Sequence, residues 1–182
     1  VTLHESPPTM IQKRPMPEPQ ALKKLADLCA KGEHCSGEML EKMRRWGLAE
    51  DAQARIMEKL LRLHYVDDSR YTESFVYDKI RYNKWGRRKI EQALWMKKVD
   101  SAVSSPILDA VGDEEYLAVL RPLLAGKYRT IKADNDYERS MKLIRFAMGR
   151  GFTIDLIRKC IDEGIAAADG NIDFADDDDE TD

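Results

Sequence analysis

The segment MLEKMRRWGL at residues 39–48 returns twice in altered form, as IEQALWMKKV at 90–99 and as LIRFAMGRGF at 143–152. Met39, Ile90 and Leu143 correspond, and so do Met43, Leu94 and Ala147 four residues on. A spacing of four places each pair on one face of a helix. Gly47, Lys98 and Gly151 come next, then the apolar Leu48, Val99 and Phe152. The register continues through Ala52, Val103 and Leu156 to Ile56, Ile107 and Cys160, with offsets of 51 and 53 residues. An apolar ladder repeated with a period near 50 predicts tandem helical modules.

Working outward, Leu22, Leu25 and Leu28 or Cys29 share a helical face that Gly32 ends. Ser36 reads as the N-cap of the helix that stops at Gly47, and Ala52, Ile56, Leu60 and Leu63 form the next stripe. The pattern restarts with Asp67 or Asp68 capping a helix that carries Tyr71, Phe75 and Val76. A helix after Gly86 holds Ile90, Ala93 and Leu94, and Val103, Ile107, Leu108 and Val111 make the sixth stripe. The third round is Tyr116, Leu117, Leu120 and Leu124, then Leu143, Ile144 and Ala147, then Leu156, Cys160 and Ile161. Pro122 is expected to kink or split its helix, and 126–136 reads as an inserted loop. The expected fold is all-α, with three-helix modules at 19–66, 67–112 and 113–168. A Pro-rich arm at 1–18 and an acidic tail at 169–182 are expected to be disordered.

Composition supports a helical chain. Of 182 residues, 35% are charged, 43% are apolar, only 8% are aromatic and only 10 are glycine, which disfavours a turn-rich sandwich or barrel. The net charge of −3 hides an asymmetry: the tail holds eight acids and no base. Setting those aside leaves 30 basic against 25 acidic residues, a body of +5. The tail reads either as a solubilising extension or as a tethered polyanion that competes with DNA for the basic body. An odd number of cysteines, three, points to a reducing compartment. No apolar run reaches the roughly 20 residues that span a bilayer. Five prolines in the first twenty residues, with no apolar core, do not read as a signal peptide. The expectation is a cytoplasmic monomer with no membrane partner.

The basic charge is concentrated. Lys79, Arg81, Lys84, Arg87, Arg88, Lys89, Lys97 and Lys98 face only Glu91, a local +7. Arg139, Lys142, Arg145 and Arg150 form a second basic stretch. Tyr82 and Trp85 lie within the first, where a ring can stack on a base or pack under a cation. Arg87 and Arg88 fall in the first turn of a helix, against its dipole, so an anion there would gain from both the helix N-terminus and the guanidinium groups. The bland alternative is a solvated charged face.

Other chemistry finds little support. Cys29, His34 and Cys35 lack a fourth ligand at zinc spacing, and His64 and Cys160 are distant, so no metal is expected. Capping accounts for Asp67 and Asp68, and Trp46 reads as core. No glycine-rich phosphate loop is present, so no nucleotide cofactor is expected. No catalytic arrangement assembles, and the chain is not expected to be an enzyme.

Three stretches resemble the RecX family of bacterial recombination regulators. They are Ser36 to Leu48 (SGEMLEKMRRWGL), Tyr65 to Tyr71 (YVDDSRY) and Lys84 to Ile90 (KWGRRKI). The resemblance covers about residues 20–165 and departs at Lys98, where the family often has glycine, at 126–136, and in the acidic tail. It implies an elongated, curved array of three-helix modules that binds RecA–DNA filaments. It also implies inhibition of the RecA recombinase, ATPase and co-protease activities, modulating DNA repair and recombination in the SOS response. The implied partners are the RecA protein filament and single- and double-stranded DNA, held by the phosphate backbone without regard to sequence. What the resemblance implies is a mode of binding, with a basic concave surface facing the filament; the basic stretches then give the expected contact residues as Lys79, Arg81, Lys84, Trp85, Arg87, Arg88, Lys89, Lys97, Lys98, Arg139, Lys142 and Arg145. The alternative is a helical DNA-binding protein that acts without RecA.

Overall fold

Nine helices, and no strand, make up residues 14–165, the residues described by this computed structural model. The acidic tail and most of the Pro-rich arm lie outside the described residues. The helices divide into two units between Asp67 and Asp68. No helix among the described residues is long and apolar enough to cross a membrane.

The first unit holds α1 (Glu18–Lys31), α2 (Ser36–Arg45) and α3 (Glu50–Arg62). Ala21 and Leu25, Met39 and Met43, and Ile56 and Leu60 sit at helical spacing and fill one core with Val66. Leu22, Leu28, Cys29, Leu40 and Trp46 pack against it half-buried. Burying each large aliphatic side chain stabilises the unit by roughly 1.5–3 kcal/mol. The chain is seated earlier than expected from its prolines. Met16 donates its N–H to the Trp46 carbonyl at 3.2 Å and packs on the core, and α1 begins at Glu18 with Pro19 in its first turn. Arg55 ties α3 to α1 through Glu18 at 3.0 Å, while it also reaches Asp51 at 3.2 Å. Ser36 is the first residue of α2 rather than its cap, a position taken by Cys35.

The second unit holds α4 (Asp68–Arg81), α5 (Arg87–Met96), α6 (Ser101–Asp109), α7 (Asp113–Thr130), α8 (Asp136–Gly149) and α9 (Ile154–Asp162). Helix α4 packs on α5, α6 and α7, while α7, α8 and α9 pack on one another. Since α4 starts at Asp68, Asp67 takes the cap position. Asp100 caps α6 by accepting from the Ala102 N–H at 2.9 Å.

Pro122 does not split its helix, and no loop spans 126–136. Helix α7 runs through the proline to Thr130, which leaves only 131–135 as a connection. The apolar stripe explains this. Tyr116, Leu117 and Leu120 before the proline and Leu123, Leu124 and Ala125 after it are all buried. Their burial outweighs the roughly 3 kcal/mol that an interior proline costs. The start of α8 carried a readable signal: the Asn135 side chain accepts from the Glu138 N–H at 2.8 Å, and the Glu138 carboxylate accepts from the Asp134 N–H at 3.0 Å.

The ladder read from 39–48 is a physical repeat. Met39, Ile90 and Leu143 are buried, as are Met43, Leu94 and Ala147, and Leu48, Val99 and Phe152. Between them, Gly47, Lys98 and Gly151 all adopt the left-handed conformation, with φ of 75°, 58° and 90°. Each turn closes by the same pair of backbone bonds. Gly47, Lys98 and Gly151 donate to the carbonyls of Arg44, Trp95 and Met148, and the next residues donate to Met43, Leu94 and Ala147. Further along, the register slips. In α6 the buried positions are Ser104 and Leu108, while Val103 and Ile107 are half-buried. In α9, Ile157 and Cys160 are buried and Leu156 is half-buried.

Two outcomes check this packing. Leu108→Ala should cost about 2–5 kcal/mol in urea unfolding, and Ile107→Ala clearly less. Lys98→Gly should raise stability by roughly 0.5–1 kcal/mol, because relief of left-handed strain exceeds the added unfolded-state entropy of glycine.

A candidate nucleic-acid interface on the second unit

The turn between α4 and α5 lies directly against the turn between α8 and α9. Gly86 donates its N–H to the Arg150 carbonyl at 2.8 Å, and the Arg88 N–H donates to the Gly151 carbonyl at 3.1 Å. The Arg150 guanidinium adds a bond to the Asn83 carbonyl at 3.4 Å. This approach needs glycine on both sides. A Cβ on Gly86 would stand 2.3 Å from the Phe152 nitrogen and 2.5 Å from the Gly151 oxygen. A Cβ on Gly151 would meet the Lys89 backbone nitrogen at 2.5 Å.

The contact corrects one sequence expectation. An anion was to gain from the free N-terminus of α5, but the Gly151 carbonyl already takes the Arg88 N–H there. Arg87 is also committed inside the protein. Its guanidinium lies 2.7 Å from Glu91 and 2.6 Å from Asp109, joining α5 to α6. The hydrogen bond to Glu91, then that to Asp109, raises its pKa, so it stays charged and neutralised. It is a bracing residue.

What the contact builds instead is a surface of cations and rings. Lys79 and Lys89 each place Nζ 4.7 Å from the centre of the Trp85 ring, and Lys79 also stands 5.3 Å from Phe75. Arg81 covers Tyr77 at 5.5 Å. Across the glycine contact, Lys127 and Arg150 cover the Phe146 ring at 4.9 and 5.5 Å. Such contacts contribute about 0.5–2 kcal/mol each and fix the positions of otherwise mobile charges. Lys79, Arg81, Arg88, Lys89, Lys127, Arg145 and Arg150 pair with no carboxylate among the described residues. Lys84 bonds the Arg81 carbonyl and holds a left-handed turn, with φ of 57°.

The remaining sequence-selected residues do not join this group equally. Lys97 and Lys98 lie at the far end of α5, a ten-residue helix about 15 Å long. Arg139 covers Tyr128 at 5.0 Å and meets Asp136 at 3.4 Å. Lys142 meets Glu138 at 3.2 Å and the Lys132 carbonyl at 2.6 Å. Conversely, Lys127, Phe146 and Arg150 belong to the surface and were not selected as contact residues, although Arg150 was visible in the second basic stretch. No local pattern signals that residues 67 apart, Asn83 and Arg150, meet. The three cysteines form no disulfide, with Cys35 and Cys160 buried, and no group of three or more His, Cys, Asp or Glu among the described residues could hold a metal.

Gly86→Ala should destabilise the chain by roughly 1–3 kcal/mol, since backbone rather than a flexible side chain blocks the new methyl. Gly149→Ala, with nothing within 4 Å of the new carbon, should be neutral or mildly stabilising in the same thermal or urea unfolding measurement.

Comparison with known proteins agrees with this architecture. Residues 67–104 match the family model described as RecX, second three-helix domain, and residues 113–161 match RecX, third three-helix domain. A protein of Acinetobacter baylyi called regulatory protein RecX is 31% identical over 134 residues, covering 74% of this chain and 81% of its own length. One of the same name from Chlorobium phaeobacteroides is 29% identical, covering 75% and 87%. The crystal structure of RecX from Lactobacillus salivarius shares the fold, with a TM-score of 0.72 at 22% identity over 80% of this chain and 95% of the other. With its repeated three-helix architecture and this degree of identity over most of a relative's length, the chain belongs to the RecX family of regulatory proteins.

Proposed function

We propose that the chain is a non-enzymatic cytoplasmic regulator that binds RecA–DNA filaments and inhibits the recombinase, ATPase and co-protease activities of RecA. The observation that carries this reading is the surface joined by Gly86 and Gly151. There, Lys79, Arg88, Lys89, Lys127 and Arg150 converge without carboxylate partners among the described residues. Other arginines are held by carboxylates instead: Arg55 by Glu18 and Asp51, Arg121 by Glu114 and Glu163, Arg45 by Glu41. Unneutralised, ring-braced cations suit a polyanion, and phosphate contacts of this kind carry affinity without reading sequence. Several modules on one chain add weak contacts to neighbouring protomers and to the DNA backbone, and their linkage supplies affinity. Bridging protomers hinders both access to the filament and the cycle of hydrolysis and turnover.

The test is co-sedimentation with RecA on single-stranded DNA, with ATPase followed in parallel. Arg88→Ala, Lys89→Ala and Lys127→Ala together should lower filament affinity roughly 10- to 100-fold at moderate salt. They should also relieve ATPase inhibition while helicity and melting stay nearly unchanged. Arg87 is left intact because its ion pairs brace α5 against α6. Undiminished inhibition by the triple variant would contradict the reading. Steeply salt-dependent DNA binding that RecA does not alter would favour a DNA-binding protein acting alone.

A further inference from the structure

The rings interleaved with the basic residues of the second unit are not equivalent. Phe75, Tyr77, Trp85, Tyr128 and Phe146 each carry at least one cation over the ring. Trp85 carries two, so it serves to hold Lys79 and Lys89 rather than to receive a base. Tyr82 differs: it is 79% exposed, and its ring has no aromatic, cationic or hydrogen-bonding partner among the described residues.

The surroundings of Tyr82 are rigid. Its N–H donates to the Asp78 carbonyl at 2.8 Å, and Trp85 donates to the Lys79 carbonyl at 3.1 Å. The neighbouring Asn83 carbonyl is held by Arg150 at 3.4 Å, and Gly86 is bonded to the Arg150 backbone. A ring carried by a fixed turn loses little entropy when it stacks. Two other aromatic side chains are as exposed, Trp95 at 77% and Tyr137 at 76%. Tyr137 lies among Asp134, Asp136 and Glu138, and Trp95 shares its pocket with Glu91, Lys98 and Asp100, whereas Tyr82 lies between Arg81 and Lys84 with Asp78 one turn before it. Of the three settings, that of Tyr82 is the one in which cations outnumber acids, and Arg150 is bonded to the neighbouring Asn83 carbonyl.

We propose that Tyr82 stacks on an unpaired base of single-stranded DNA, while Arg81, Lys84 and Arg150 meet the adjoining phosphates. This inference rests on the nucleic-acid reading above and adds a chemical preference to it. A ring face serves any unpaired base, so it confers strand-state selectivity without sequence selectivity. In duplex DNA the base faces are already stacked and Tyr82 contributes nothing.

The experiment is fluorescence anisotropy of labelled oligothymidylate and of a duplex of equal length, with the full chain, Tyr82→Ala and Tyr82→Phe, across a salt series. Tyr82→Ala should lose roughly 5- to 150-fold in single-strand affinity, the range of one base–aromatic stack. Its duplex affinity and its salt slope should match the unaltered protein, because no phosphate contact is removed. Tyr82→Phe should bind both strands as the unaltered protein does. Equal single-strand binding by Tyr82→Ala overturns the proposal, as does an equal loss on both strands. A Tyr82→Phe variant as weak as Tyr82→Ala would assign the effect to the hydroxyl and overturn it too. If the unaltered protein binds neither strand in a salt-dependent way, the nucleic-acid reading fails first and Tyr82 with it.

Discussion

Two glycines let two backbones meet, and the candidate site depends on that meeting. Gly86 and Gly151 bring the α4–α5 turn within hydrogen-bond distance of the α8–α9 turn, at spacings no other side chain allows. The contact does three things together. It joins helices of the second and third three-helix repeats by backbone bonds rather than by side chains alone. It places the Lys79–Trp85–Lys89 group beside Arg150 and Phe146. It also satisfies the Arg88 N–H at the α5 N-terminus, so the helix end has a protein carbonyl where an anion was expected. On the proposed reading, attraction for a polyanion falls to side chains, and the cation–ring contacts hold those flexible lysines in place.

The same residue position has two uses within the repeat. At Gly47, Lys98 and Gly151 the chain turns left-handed, so that the following apolar residue enters the core. In the third repeat that turn is also the docking surface for Gly86, which makes glycine mandatory there for a second reason. In the second repeat the turn makes no backbone bond of this kind to another turn among the described residues, and a lysine is tolerated at the expense of strain. One structural role thus accounts for three different levels of constraint.

The helical ladder was legible because burial at spacing four is a local property of the chain. Met39, Ile90 and Leu143 and their partners are buried as their periodicity implies. The third helix of each repeat was less legible. Ile107 and Leu108 are adjacent and both apolar, so periodicity alone could not say which of them faces inward; packing selects Leu108. Pro122 reads locally as a residue that kinks or splits its helix because its cost is certain, whereas the burial that offsets it comes from α8, α9 and α4, which a local reading does not weigh. The basic segment was legible as charge but not as geometry. Arg87 and Arg88 are neighbours in sequence, yet one braces α5 to α6 through two carboxylates and the other has no carboxylate partner among the described residues.

Membership of the RecX family and an unneutralised, ring-braced cationic surface lead to one central claim: this face of the second unit meets the RecA–DNA filament. Lysine acetylation footprinting, read by mass spectrometry on the free chain and on the chain bound to RecA-coated single-stranded DNA, tests it most directly. The account predicts that Lys79, Lys89 and Lys127 lose reactivity together on binding, since the Gly86–Gly151 contact makes them one surface. Unchanged reactivity at all three in the bound chain would contradict it.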